Sequence, residues 1–137
     1  SIQTEGAVDI EHLEINGESY LAIANHRTFD TFCTLSFLYK LDSETDEYEL
    51  YQNFHTCGAS DFEHFEMGGH HYLAVANQFK DITLTGKLLD SIDSVIYWWA
   101  GSQFIEWQFI PTIGITQWES LRLPNNEVVL IAANSQV

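Results

Sequence analysis

The sequence predicts an all-β protein made of tandem four-stranded antiparallel blades of a β-propeller, two full blades plus half of a third, part of a larger or oligomeric ring. Three observations predict it. One block of residues recurs three times, the apolar segments inside each copy have strand length and alternate in polarity, and turn residues separate them.

The repeat comes first, because a missed repeat misassigns the whole fold. GAVDIEHLEINGESYLAIAN occupies 6–25, GASDFEHFEMGGHHYLAVAN occupies 58–77, and GITQWESLRLPNNEVVLIAAN occupies 114–134. The first two align without a gap; the third needs one extra residue in its turn. Gly6, Gly58 and Gly114 open the copies, 52 and then 56 residues apart. Ahead of each glycine stands apolar-x-Thr-x: Ile2 with Thr4, Phe54 with Thr56, Ile110 with Thr112. Between the blocks, LSFLYKL before YELYQNF matches SVIYWWA before FIEWQFI, which sets Tyr39 against Tyr97, Tyr48 against Phe104 and Gln52 against Gln108. One propeller segment thus covers 1–137, divided into repeat 1 at 6–57, repeat 2 at 58–113 and a partial repeat 3 at 114–137.

Within each repeat, four segments rich in β-branched and aromatic residues read as strands A to D. Asn16-Gly17, Gly68-Gly69 and Pro124-Asn125-Asn126 mark the A–B turns, and Ala100-Gly101-Ser102 marks a C–D turn. In the A strands, Leu13 with Ile15, Phe65 with Met67 and Leu121 with Leu123 alternate with His12, Glu14, His64, Glu66 and Arg122, the two-residue period of a strand. In the B strands, LAIA, LAVA and LIAA set small alanines among branched residues, which suits a strand packed closely on both faces. Four-stranded units stacking face to face describe propeller blades. A β-sandwich is the competing architecture, and the regular period favours blades.

Composition narrows the function classes. Forty-five per cent hydrophobic residues with 14% aromatics support a packed core. No stretch approaches the roughly 18 consecutive apolar residues of a membrane span. SIQTEGAVD lacks the basic start and apolar core of a secretion signal, so the chain reads as mature or excised sequence. Five Lys plus Arg against twenty Asp plus Glu give a formal charge of −15. That field repels phosphate backbones and anionic headgroups, which argues against nucleic acid as a partner and against membrane insertion. It equally describes an acidic solvated surface.

Cys33 and Cys57 lack metal-type spacing. Cys33 precedes strand C and Cys57 follows strand D, and the hairpin turn between them centres near Thr45. The two therefore face each other across the hairpin, which predicts a Cys33–Cys57 disulfide and an oxidising compartment.

GASDFEHFEMGGHHYLAVAN followed by SVIYWWAGSQFIEWQFIPTIG resembles the epilepsy-associated repeat family, also called EAR or EPTP repeats. The shared pattern is small-Asp-aromatic-Glu, a glycine turn, Tyr-Leu-x-x-Ala-Asn, Ile-Tyr-x-Trp and Gln-x-Ile-Pro-Thr-x-Gly. The resemblance covers residues 2 to 137 apart from a long insertion. Lys40-Leu41 and Gln117 depart from it. It implies a seven-bladed propeller in secreted or cell-surface proteins, one that recognises other extracellular proteins without catalysis. Two and a half blades do not close a ring, so further repeats, other chains or copies of itself are expected to cover the open faces.

Candidate sites follow from the same reading. Asp9 with Glu11 and Asp61 with Glu63 recur on the strand that a propeller sets nearest its axis. Two readings fit them: oxygen donors for a hard cation such as calcium, which the family resemblance permits, or acceptors for main-chain amides at the strand entrance. Of six histidines, His12 and His64 share a repeat position, which points to packing, and His70-His71 fall in the A–B turn as solvated residues. The B–C connection runs 26–33 in the first repeat and 78–94 in the second. The longer one holds Lys80, Asp81, Lys87 and Asp90, a candidate partner-binding loop. Trp98, Trp99 and Trp107 could stack on sugars or pack in the core, which makes glycans the alternative partner class. No GxSxG, HExxH or phosphate-loop pattern occurs, and the chain is expected not to be an enzyme.

Overall fold

The computed structural model describes residues 2, 4, 6–28, 31–79 and 91–134. Strands β1 (Ala7–Ile15), β2 (Glu18–Asn25), β3 (Cys33–Asp42) and β4 (Glu47–Cys57) form one antiparallel sheet in chain order. Strands β5 (Ala59–Met67), β6 (His70–Asn77), β7 (Ser91–Trp99) and β8 (Phe104–Ile113) form a second in the same order, and β9 (Ile115–Arg122) pairs with β10 (Val128–Asn134). No helix occurs among the described residues.

The turns follow from residue type. Asn16 and Gly17 sit at φ 53° and 82°, and Gly68 and Gly69 at 60° and 78°, the left-handed pair that joins two right-twisted strands through a two-residue loop. Gly58 is required for a second reason: at φ +57° a Cβ there would stand 2.6 Å from the main-chain nitrogen of Phe79.

The three sheets lie in succession, β1 against β5 and β5 against β9, which is the stacking of blades and not the facing pair of a sandwich. One core joins the first sheet to the second, with Leu13, Ile15, Tyr20 and Phe54 packed among Phe62, Leu73, Tyr97 and Phe104. A second joins β5 and β6 to the last hairpin through Phe65, Tyr72, Ile115 and Trp118. Ala22, Ala24, Ala74 and Ala76 are fully buried, so the B strands do carry small residues where neighbouring sheets approach. Each large apolar side chain buried this way contributes about 1.5–3 kcal/mol.

Cys33 and Cys57 are register partners on β3 and β4 and form a disulfide. A β-bulge between Leu38 and Tyr39 adds one residue to β4, on the turn side of the cysteines. Strand β7 begins at Ser91, three residues earlier than the connection to 94 expected from sequence.

Candidate functional site

The candidate site is the set of junctions between successive sheets, and its chemistry starts from an edge. β1, β5 and β9 are the edge strands on the inner side, and an edge strand presents a row of unpaired N–H and C=O groups. Amides along one edge point outward at every second residue, so acceptors spaced two apart on the preceding sheet can meet them. Asp-x-Glu supplies that spacing. Asp9 Oδ2 accepts the N–H of Phe62 at 3.0 Å, and Glu11 accepts the N–H of His64. The arrangement repeats one junction later. Asp61 Oδ2 accepts the N–H of Trp118 at 2.7 Å, and Glu63 takes up Ser120 through its main chain and its hydroxyl, the latter at 3.4 Å.

Crowding these acids has an electrostatic consequence. Burial pushes the Glu11 carboxyl up to about 7, with Glu63 and Asp9 adding repulsion against the opposing His64 amide. Burial likewise pushes Asp61 up to about 7, the charges of Asp9 and Glu63 adding to it while the Trp118 amide pulls the other way. Glu63 is raised too, by burial first and Glu119 next. These carboxylates bond main-chain amides on the following sheet and not at their own strand entrance.

The outer side of the first junction has its own clamp. Gln52 on β4 donates from Nε2 to the carbonyl of Phe104 at 2.7 Å and accepts the Phe104 N–H on Oε1 at 2.9 Å. Tyr51 donates its hydroxyl to the carbonyl of Ser102. Between clamp and ladder, Tyr51 and Trp99 pack on Tyr20, and Phe54 meets Phe62, Tyr97 and Phe104.

A buried polar network ties each four-stranded sheet internally. Asn25 Nδ2 donates to the carbonyl of Leu35, its main-chain N–H donates to Ser36 Oγ, and Ser36 meets Thr56 at 2.7 Å. Asn77, Ser94 and Thr112 repeat it, and Asn77 Oδ1 also accepts the N–H of Cys57. The terminal Asn of YLAIAN and the Thr before each glycine were visible as repeated letters. Ser36 and Ser94, which join them, carried no sequence signal beyond their equivalent positions.

The histidines divide. His12 is exposed and bonds Ser19 at 2.8 Å. Both His70 and His71 belong to β6; His70 is exposed, whereas His71 keeps only 15% of its side-chain surface, so the pair is not a solvated turn. His71 Nδ1 stands 3.0 Å from His64 Nε2. Burial, with His71 adding to it, lowers His64 to about 4. Trp99 is buried, Trp98 is partly buried against the second core, and Trp107 is 51% exposed. Lys80, Asp81, Lys87 and Asp90 lie outside the described residues.

A family model for the EPTP domain matches residues 1–42 and 48–100. The human thrombospondin-type laminin G domain and EAR repeat-containing protein is 43% identical over 79 residues, 58% of this chain and 12% of the human protein. The mouse protein of the same name is 34% identical over 92 residues, 66% of this chain and 13% of the mouse protein. The chain therefore spans a small part of the length of the curated relatives it matches. The residues that the family model matches include the first Asp-x-Glu ladder, the Asn-Ser-Thr network of the first sheet and both cysteines of the disulfide. With four-stranded blades stacked through repeated contacts and a family model covering most of the chain, this chain belongs to the EPTP domain family.

Proposed function

We propose that this chain is a non-enzymatic interaction module of a secreted or cell-surface protein, whose repeats build a propeller ring that recognises other extracellular proteins. Its open flanks then take further repeats of the same kind, in the same polypeptide or in copies of it. The observation that carries this is the equivalence of Gln52 and Gln108. Gln52 clamps the next blade with Tyr51 beside it. Gln108 is exposed with Trp107 and Phe109 on either side, 51% and 55% exposed. On the other flank Ile10 is 60% exposed, while its counterparts Phe62 and Trp118 are at 0% and 4%. Apolar surface of this extent calls for cover. The disulfide supports an oxidising compartment.

Two further elements belong to the proposal. Calcium is the cation that Asp9, Glu11, Asp61 and Glu63 would hold, and it would relieve their mutual repulsion; a calcium titration that leaves the thermal transition unmoved at neutral pH removes it. The segment bearing Lys80, Asp81, Lys87 and Asp90 is a partner contact, tested by trimming 81–90 and measuring affinity. The main experiment immobilises the intact protein and screens it against secreted and cell-surface ectodomains and, in parallel, a glycan array. Saturable binding of a protein ectodomain supports the reading. Binding of glycans alone, stacked on exposed Trp107, replaces it with the lectin reading, and binding of neither class overturns it.

A further inference from the structure

We propose that His64, Glu66 and His71 form a binding site for a transition-metal dication of the zinc class, on the face of the second blade that carries Phe62 and Leu73. Register places them. Glu66 and His71 are direct cross-strand partners on β5 and β6, and His64 pairs with Leu73, so it lies diagonal to His71 on the same face. The three ligand atoms fall within 4.8 Å of one another.

The geometry is that of donors turned toward a common point. His64 Nε2 and His71 Nδ1 are 3.0 Å apart, while the ring centroids are 5.2 Å apart with 8° between the planes. The nitrogens therefore lie between the centroids, edge toward edge. Two facing ring nitrogens at this distance cannot both carry a proton, so at least one lone pair points into the gap. Glu66 Oε1 lies 3.5 Å from His71 Nδ1. On a tetrahedral zinc, with metal–ligand distances of about 2.0–2.2 Å, two donor atoms stand roughly 3.3–3.5 Å apart. The His64–His71 and Glu66–His71 spacings need only a few tenths of an ångström of adjustment, and the His64–Glu66 pair, within 4.8 Å, closes by rotation of the exposed Glu66 side chain. His71 is 15% exposed and Glu66 54%, so a desolvated histidine pair opens to solvent through the carboxylate, which is an entry path for an ion.

The trio is not demanded by the fold. In the first blade Ser19 stands where the second has His71, and His12 bonds it directly. In the third, Ser120 and Arg122 replace His64 and Glu66. Two histidines and a glutamate form a donor set known for zinc with a fourth position left open, to water or to a donor atom of a bound protein. Soft thiolate ligands are absent from the set, and imidazole with carboxylate accepts copper, zinc, nickel and cobalt in the usual affinity order.

The test titrates the intact, chelator-treated protein with zinc sulfate by calorimetry, and with cobalt chloride by visible absorption, at neutral pH. The expected result is one saturable equivalent of zinc and a cobalt d–d band. His71→Gln and His64→Gln should each weaken zinc binding at least tenfold, whereas His70→Gln leaves it unchanged. No saturable uptake overturns the site, as does wild-type affinity in the His64→Gln/His71→Gln pair or loss of binding in His70→Gln. Should the histidine variants fail to fold, Glu66→Gln decides: weaker binding at an unchanged thermal transition supports the site, and unchanged binding overturns it.

Discussion

Asp61 reaches across the boundary between the second sheet and the hairpin that follows, and its Oδ2 accepts the main-chain N–H of Trp118 at 2.7 Å. Asp9 does the same to Phe62 one junction earlier, at 3.0 Å. An exposed sheet edge is a liability, and here the edges of β5 and β9 are each met by carboxylates of the preceding sheet.

Removing the acceptor leaves a donor stranded. Phe62 is fully buried, so in Asp9→Ala its N–H has no acceptor, and the change should destabilise the fold by about 1–3 kcal/mol. Asp9→Asn keeps a carbonyl oxygen at the same place and should cost less. Urea denaturation of the two variants measures the difference, and equal stability of both with the parent contradicts the role given to Asp9.

The carboxylate crowd also sets a pH dependence. Glu11 and Asp61, raised from 4.5 and 3.8 to about 7, bind protons more tightly folded than unfolded. Their stabilising contribution is therefore complete below the unfolded values and is lost as pH rises through about 7. His64, lowered from 6.5 to about 4, acts oppositely: its contribution is present above 6.5 and is lost as pH falls through about 4. The Glu11→Gln/Asp61→Asn variant should gain thermal stability relative to the parent on going from pH 5 to pH 8, because it no longer charges buried acids. Melting curves at unit pH steps check this, and a constant offset between the two proteins across that range rejects it.

The disulfide closes a hairpin with a sequence separation of 24. Cys33→Ser/Cys57→Ser should lower stability by about 3 kcal/mol through the freedom restored to the unfolded chain. The same loss should follow when the parent is reduced without denaturant. Denaturation with and without reductant measures it, and a change below about 1 kcal/mol contradicts the expectation.

Asn77 serves two segments at once, donating to the carbonyl of Asp93 and accepting from Cys57 across the joint between repeats. Asn77→Ala strands both partners and should cost about 2–4 kcal/mol, more than Ser60→Ala at a partly buried neighbouring position. Chemical denaturation of the two variants gives the comparison.

How far the sequence disclosed this arrangement depended on whether a residue's partner was local. The Cys33–Cys57 pairing was legible because both cysteines belong to one hairpin, whose arithmetic survives a bulge lying nearer the turn. The blades were legible because alternation and turns recur at one period. The destination of Asp9 and Asp61 was not, since it lies on another sheet and only stacking brings that edge within reach. His71 read as a solvated turn residue because two glycines precede the pair; the turn ends at Gly69 instead, and hairpin register sets His71 diagonal to His64. Trp107 keeps the first of the contacts that Tyr51 makes, packing on Tyr72 as Tyr51 packs on Tyr20, yet it is 51% exposed.

Amide hydrogen exchange at Phe62 and Trp118 tests the central claim most directly, because blades held flank to flank by an edge-capping ladder make a specific demand of these two N–H groups. Both amides should be strongly protected in the parent, and Asp9→Ala should release Phe62 while leaving Trp118 protected. Rapid exchange at both positions in the folded parent would contradict the stacking itself.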